Sequence, residues 1–154
     1  MEMTRKEKAI QLFLSGANCA QAVVAAFADL IGMDEKTALR LAAPFGGGLA
    51  RQREVCGAVS GMCMVAGALY GYDDLTDDAV KAAHSRLIRS LCDAFKEAHG
   101  TLICRELLGS KKGKDTAPDP DPRTEEYYRT RPCARQVGTA AGILEAYVQE
   151  HSVK

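Results

Sequence analysis

The sequence predicts an all-α fold, a helical bundle of about six to seven helices with a glycine-rich central helix, in a single domain spanning residues 1–154. No segment shows the sustained period-two alternation of apolar and polar residues that is typical of a half-buried strand. Residues that favour helix caps, and glycines and prolines that end helices, divide the chain at helical intervals. Apolar residues make up 47% and charged residues 26%, which is typical of a globular domain with its own core.

Three helices are predicted in the first third of the chain, over about 4–15, 18–32 and 34–43. Gly16 is expected to end the first of them. Asn18 is a favourable N-cap for the second helix, and Gln21, three residues later, completes a capping box. Asp34 is expected to cap the third helix.

The most apolar helix is predicted from about Val55 to Leu69, after a loop that begins with Gly46-Gly47-Gly48. Residues 55–72 contain no charged side chain, and their length is close to the minimum for a membrane-spanning helix. Four glycines interrupt this segment and it stands alone, so a buried central helix is the preferred interpretation. We therefore expect no membrane partner.

The remaining helices are predicted over about 76–99, 101–108 and 133–149. Thr76 is expected to cap the first of these, and Gly100 is expected to end it. Residues 109–132 are rich in lysine, aspartate and proline, and they are predicted to form a long polar loop.

The charge balance narrows the classes of partner. Twenty basic side chains balance twenty acidic ones, so the sequence offers no case for nucleic acid or an anionic membrane as partner. The charged N-terminal segment lacks the apolar stretch and cleavage site of a secretory signal, which favours a cytoplasmic location. Cysteines in that compartment are more often free, metal-bound or transiently oxidised than joined in structural disulfides.

Four of the six cysteines lie at or near predicted helix starts: Cys19, Cys56, Cys104 and Cys133. A helix N-terminus stabilises a thiolate, because its unpaired N–H groups and its dipole favour negative charge. The thiolate is the form of cysteine that attacks disulfides and binds metals. These four residues are therefore the candidate catalytic residues, and the same four are the candidate metal ligands.

Cys56 is the preferred candidate for the attacking thiol. It follows Arg51 and Arg53, which we expect a sharp glycine turn to bring beside it, and positive charge lowers a thiol pKa. Gly57 and Gly61 lie four residues apart on one helix face, which allows a ligand or another backbone to approach closely. They are candidate cofactor-binding residues, although tight helix packing, within the chain or in a homodimer, explains the same spacing.

Cys63 and Cys92 are expected to be core residues, since free cysteine is among the most buried residue types. No two cysteines have Cys-x-x-Cys spacing, so neither a thioredoxin-like motif nor a zinc ribbon is indicated. Thiols that act together must therefore be assembled by the fold from distant positions in the chain.

The chain resembles the C_GCAxxG_C_C family of redox-active proteins, which has four characteristic cysteines. The sequence Cys-Gly-Ala-Val-Ser-Gly at 56–61 matches the family's Cys-Gly-Ala-x-x-Gly motif. The segments that begin at Asn18 and at Cys104, and Cys133 before the last helix, resemble the regions around the other three cysteines. The resemblance extends from about Ala9 to Tyr147.

This resemblance implies an all-helical fold and a redox or metal-cluster role. A related domain is joined to haem domains in some electron-transfer cytochromes, which implies that an iron–sulfur cluster is a candidate cofactor. No Cys-x-x-Cys-His haem attachment site occurs in this chain, so the resemblance does not imply an attached haem here. Cys63 and Cys92 lie outside the family's pattern, in agreement with core positions.

Three functional hypotheses follow. The leading one is a cytoplasmic redox protein whose four cysteines converge for thiol–disulfide exchange or electron transfer with an unknown redox partner. In the second, the same four sulfurs hold an iron–sulfur cluster or a zinc ion. In the third, the protein is a helical interaction module whose cysteines are ordinary buried residues.

Overall fold

The computed structural model describes residues 2–151 and 153. Within those residues it contains eight α-helices and no β-strand, which confirms the all-α fold. The helices are α1 Arg5–Leu14, α2 Cys19–Ala26, α3 Glu35–Ala42, α4 Gly57–Tyr70, α5 Asp78–His99, α6 Cys104–Leu108, α7 Glu125–Thr130 and α8 Cys133–Glu150. No helix in the described part of the chain is both long enough and apolar enough to cross a membrane.

Side-chain caps set the starts of several helices. Asn18 and Gln21 form the predicted capping box: the Asn18 side chain accepts from the Gln21 N–H at 2.9 Å, and the Gln21 side chain accepts from the Asn18 N–H at 3.0 Å. Asp34 caps α3, as predicted. The prediction for Thr76 is wrong, because the Asp77 carboxylate accepts the first N–H groups of α5. A charged acceptor makes the stronger cap at that end of the helix dipole.

The segment predicted as one long polar loop, residues 109–132, contains a helix. α7 begins after Thr124, whose side chain accepts a hydrogen bond from the Tyr127 N–H at 3.2 Å. Glu125 and Glu126 occupy its first turn, where negative charge is favourable. These local signals produce a helix directly after the alternating prolines, which themselves favour extended chain.

The core is built mainly from α1, α2, α4 and α8. α1 packs against α2 and α8, α2 also packs against α4, and α5 lies against α4 and α8. The largest fully buried side chains in this core are Phe13, Phe27, Phe95, Met62 and Leu144. This packing determines where the helix starts that carry the cysteines lie relative to one another.

The close contact between α2 and α4 depends on glycine. A Cβ atom at Gly61 would lie 2.9 Å from the Ala20 carbonyl oxygen and 3.1 Å from the Val23 Cβ. Both distances are shorter than ordinary van der Waals contacts, so only glycine lets the two helices approach this closely.

The chain between α3 and α4 has an unusual backbone conformation. Gly47 and Gly48 have φ angles of 66° and 68°, so the turn at Gly46–Leu49 is not a regular helix. Positive φ angles between 50° and 69° are also found at four non-glycine residues: Leu49, Ala50, Arg51 and Arg53. Each costs on the order of 1 kcal/mol, and residues held in this way concentrate at functional sites.

Candidate functional site

Four cysteines line one cavity, whose volume is about 290 Å³. They are the four identified as candidates from the sequence: Cys19, Cys56, Cys104 and Cys133. Cys19, Cys104 and Cys133 are the first residues of α2, α6 and α8, and Cys56 is the N-cap of α4. The starts of four helices therefore meet at this cavity, where their unpaired N–H groups and dipoles favour negative charge.

The thiols of Cys19 and Cys133 line the same cavity, and each affects the pKa of the other. The Cys19 thiol is the main cause that lowers the pKa of Cys133 to about 7. Burial opposes this lowering, and the guanidinium groups of Arg131, Arg123 and Arg53 add to it. The Cys133 thiol, together with burial, raises the pKa of Cys19 well above its ordinary value. The two thiols titrate as a pair, and the pair loses its first proton near neutral pH.

Cys104 is 8% exposed and lies beside Arg53, whose Nη1 donates to the Cys104 Sγ at 3.9 Å. Burial raises the pKa of the Cys104 thiol, and Arg53 offsets only part of that rise. Two backbone hydrogen bonds hold this part of the cavity wall. The Cys104 N–H donates to the Glu54 carbonyl oxygen at 2.6 Å, and the Cys56 N–H donates to the Leu102 carbonyl oxygen at 2.8 Å.

The surroundings of Cys56 differ from those expected from the sequence. Cys56 is 3% exposed, and burial raises the pKa of its thiol to about 12, a rise that the N–H groups at the start of α4 oppose only in part. The two expected cations are engaged elsewhere: Arg53 contacts Cys104, and Arg51 donates to the Asp121 carboxylate at 2.8 Å. These contacts do not support Cys56 as the attacking thiol.

Three of the four arginines that line the cavity are paired with other groups. Arg51 and Arg131 both donate to the Asp121 carboxylate, at 2.8 Å and 2.6 Å. Burial acts to raise the pKa of Asp121, but the two arginines outweigh it and lower the pKa. Arg123 donates to two main-chain carbonyl oxygens near the end of α1 and the start of α2, at 3.0 Å each. These contacts fasten residues 115–131 to the rest of the cavity wall.

Arg123 and Tyr127 line the cavity and were not identified from the sequence. Arg123 lies over the ring of Tyr127 at 4.9 Å and over the ring of Phe13 at 4.5 Å, which is within cation–π range. Both residues belong to the segment predicted as a loop. The only signal there is a mixture of arginines and tyrosines, and which of them turn inward is decided by packing against α1.

The two glycines predicted to bind a cofactor have different surroundings. Gly57 lines the cavity, and a Cβ atom there would lie 2.9 Å from the Phe45 carbonyl oxygen and 3.2 Å from the Cys19 Cβ. Gly61 is not among the residues lining the cavity and packs against α2. Gly57 therefore stays a candidate for ligand contact, whereas Gly61 is a packing position.

Cys63 and Cys92 form a second thiol pair outside the cavity. They lie on α4 and α5, are partly exposed, and pack against the core. The interaction between the two thiols raises the pKa of Cys63 and lowers that of Cys92 to about 7. Burial opposes the lowering at Cys92, and Lys96 adds to it. The prediction of core positions is therefore correct for their packing but not for their exposure.

Zinc ions and iron–sulfur clusters require several ligands arranged around one centre. Among residues 2–151 and 153, no group of three or more His, Cys, Asp or Glu side chains could hold a metal ion. The four cysteines share a cavity, but in this arrangement they do not fit a four-cysteine metal site.

The family model described as "Putative redox-active protein (C_GCAxxG_C_C)" matches residues 17–147. The match begins at residue 17, after α1, whereas the resemblance found in the sequence begins at about Ala9. No curated protein and no solved structure matches the chain significantly. Because the family model spans well over half of the sequence and includes all four cysteines of the cavity, the chain belongs to the C_GCAxxG_C_C family of putative redox-active proteins.

Proposed function

We propose that the cavity carries out thiol–disulfide exchange, with Cys133 as the attacking thiolate and Cys19 as the resolving thiol. The observation that carries this proposal is that these two thiols, at the starts of α2 and α8, line the same cavity. The Cys19 thiol and three nearby guanidinium groups lower the pKa of Cys133 to about 7. A thiol whose pKa lies near the ambient pH combines a high thiolate fraction with strong nucleophilicity.

The exchange moves two electrons from the protein to a disulfide, RSSR. The Cys133 thiolate attacks one sulfur of RSSR, the S–S bond breaks, and RS⁻ leaves and takes up the proton that Cys133 had released. Cys19 then loses its proton and attacks the Cys133 sulfur, which displaces the second RS⁻, and that thiolate takes up the proton from Cys19. The products are a Cys19–Cys133 disulfide and two RSH molecules.

Cys56 and Cys104 are proposed to be the slower thiols of the set. Burial raises the pKa of both, so they stay protonated at neutral pH. Exposure does not separate Cys104 from Cys133, which are 8% and 9% exposed, so the difference between them rests on their pKa values. We propose that they exchange with the Cys19–Cys133 disulfide rather than with the substrate.

The test measures the reactivity of each cysteine separately. Reduced protein is treated with limiting iodoacetamide across a pH series, and the alkylated peptides are quantified by mass spectrometry. We expect Cys133 to reach half of its maximal rate near pH 7 and Cys56 to react far more slowly. After oxidation by a glutathione disulfide buffer, peptide mapping should find Cys19 joined to Cys133.

The matched control is Cys63→Ser, which removes a thiol outside the cavity and should leave both results unchanged. A Cys133 that reacts no faster than free cysteine at pH 7, or an oxidised protein without a Cys19–Cys133 bond, would refute the exchange mechanism. Under the interaction-module hypothesis, Cys19→Ala and Cys133→Ala would lower only the free energy of unfolding, by about 1–3 kcal/mol.

The four-cysteine metal site is the alternative outcome. Protein purified without oxygen would then retain zinc, or iron and sulfide, in fixed proportion to the chain, and Cys→Ser substitution at any of the four positions would release it.

We also propose, from the sequence, that the chain forms one domain and acts in the cytoplasm with a separate redox partner. Homodimer formation is checked by light scattering.

A further inference from the structure

Arg53 is a charged side chain buried in the wall of the cavity, and it is only 2% exposed. Its Nε donates to the Asp115 carbonyl oxygen at 2.8 Å, and its Nη1 donates to the Cys104 Sγ at 3.9 Å. Its Nη2 is buried and has no hydrogen-bond partner. Buried polar groups are almost always hydrogen-bonded, and a buried cationic donor without an acceptor is especially costly.

Among the residues that the structure describes, no carboxylate is paired with Arg53 in the wall of the cavity. The cavity is lined by four arginines and one carboxylate, that of Asp121. This carboxylate is already bound by Arg51 and Arg131, and Arg123 is satisfied by carbonyl oxygens. None of the contacts made by Arg53 is with a carboxylate. The cavity lining therefore carries a net positive charge, and the Nη2 donor of one lining arginine, Arg53, is unsatisfied.

The size of the cavity limits what can enter it. Its volume of about 290 Å³ is at the lower end of the range for small-molecule sites, which is about 300–1,000 Å³. A small organic molecule fits such a space. The lining also includes apolar side chains, among them Leu107, Leu108 and Phe13, which suit the carbon skeleton of such a molecule.

We propose that the cavity binds a small thiol or disulfide that carries a carboxylate, with the carboxylate on Arg53 Nη2 and the sulfur directed to the Cys19–Cys133 pair. The assignment of the ligand as a thiol or disulfide depends on the exchange function proposed above, whereas the anion site at Arg53 does not depend on it. Guanidinium is the side chain best suited to a carboxylate, because it offers paired planar donors. The exchange step is the reduction of RSSR by Cys133 and Cys19, in which each R group carries a carboxylate.

The kinetic test compares three symmetric disulfides of similar size: 3,3′-dithiodipropionate, bis(2-hydroxyethyl) disulfide and cystamine, which are anionic, neutral and cationic. Each rate with the reduced protein is divided by the rate with free cysteine, so that intrinsic reactivity cancels. We expect the anionic disulfide to be preferred over the neutral one by about tenfold or more, as for a hydrogen bond to a charged group. Arg53→Gln should remove this preference, measured as the ratio of the anionic to the neutral rate. The ratio is the readout because loss of Arg53 also raises the pKa of Cys133 and slows both reactions at neutral pH.

The matched control is Arg40→Gln, which removes an exposed arginine of α3 and should keep the preference. A separate arm uses 3-(methylthio)propionate, which has the carboxylate but no thiol, and measures its binding by calorimetry. It should bind to the wild type and not to Arg53→Gln. If Arg53→Gln fails to fold, the order of the three disulfides with the wild type still decides whether the cavity prefers a carboxylate, and a wild type without that preference would overturn the proposal.

The outcomes separate the two proposals. Binding of 3-(methylthio)propionate without reaction of any disulfide would retain the anion site and overturn the exchange function. Reaction of all three disulfides in the ratios seen with free cysteine, with no effect of Arg53→Gln on those ratios, would overturn the anion site alone. Equal binding of inorganic phosphate and 3-(methylthio)propionate would overturn the assignment to a carboxylate-bearing thiol, because it would indicate a site for any oxyanion.

Discussion

Replacement of Arg131 by glutamine should raise the pKa of the Cys133 thiol and slow its reactions at neutral pH. The Arg131 side chain is 10% exposed, and it is the leading charged group among the three arginines that lower this pKa. A nearby opposite charge shifts the pKa of an acidic group by about 1–3 units. Because two other arginines remain, we expect a rise at the lower end of this range, about one unit.

The expected change in rate follows from the thiolate fraction. With a pKa of about 7, half of the Cys133 thiols are ionised at pH 7. After a rise of about one unit the ionised fraction falls to about a tenth, so alkylation at pH 7 slows about fivefold. The rate at high pH, where the thiol is fully ionised in both proteins, should stay the same.

The assay is alkylation of Cys133 by iodoacetamide, followed by peptide mass spectrometry from about pH 5 to about pH 9. Arg131→Lys retains the positive charge and should keep the midpoint near that of the wild type. Arg129→Gln removes an exposed arginine two residues away and should have no effect. An unchanged midpoint in Arg131→Gln, or an equal shift in Arg131→Lys, would show that charge at this position does not control the thiol.

Three further outcomes are expected. Gly61→Ala should lower the free energy of unfolding in urea by about 1–3 kcal/mol, because its Cβ would meet α2 at 2.9 Å, whereas Gly67→Ala, which has open space, should raise it by about 0.5–1 kcal/mol. The Asp121 pKa is lowered on folding, so its ion pairs stabilise the protein above the unfolded-state pKa and are lost as pH falls through the folded-state pKa. Asp121→Asn should therefore be less stable than wild type at pH 7 and equally stable in strong acid, as measured by thermal unfolding; a constant difference would refute this. Cys92 should be alkylated near neutral pH faster than its neighbour Cys63, and Cys63→Ala should shift the midpoint of Cys92 upward, since the Cys63 thiol lowers the pKa of Cys92 to about 7.

Much of the helical framework could be read from local signals. The Asn18–Gln21 capping box and the Asp34 cap act within four residues of the chain, so their geometry depends little on what packs around them. Gly100 ends α5 in a left-handed conformation with φ of 87°, which glycine adopts readily. The wrong prediction of Thr76 as the N-cap of α5 is also a local error, because the adjacent residue, Asp77, competes for the same position.

The chemistry of the site depended on contacts between distant parts of the chain. Arg53 lies 51 residues before Cys104, whose sulfur it contacts, and sequence proximity wrongly assigned its charge to Cys56. The acidity of Cys133 depends on a thiol from the other end of the chain, Cys19. Charge acts across space in a low-dielectric interior, so a neighbour in sequence is a poor guide to the partner of a buried ion.

The sequence by itself determined that this protein is helical and that four cysteines stand at or near helix starts, because capping and the helix dipole are properties of adjacent residues. Only the tertiary structure decided which of those cysteines is acidic and which cation is left unpaired. Burial raises the pKa of Cys56 to about 12, whereas at Cys133 the Cys19 thiol and the arginines outweigh burial and lower the pKa to about 7. Desolvation and charge pairing exist only once the chain has folded, and they assign different reactivity to residues of the same type at different helix starts.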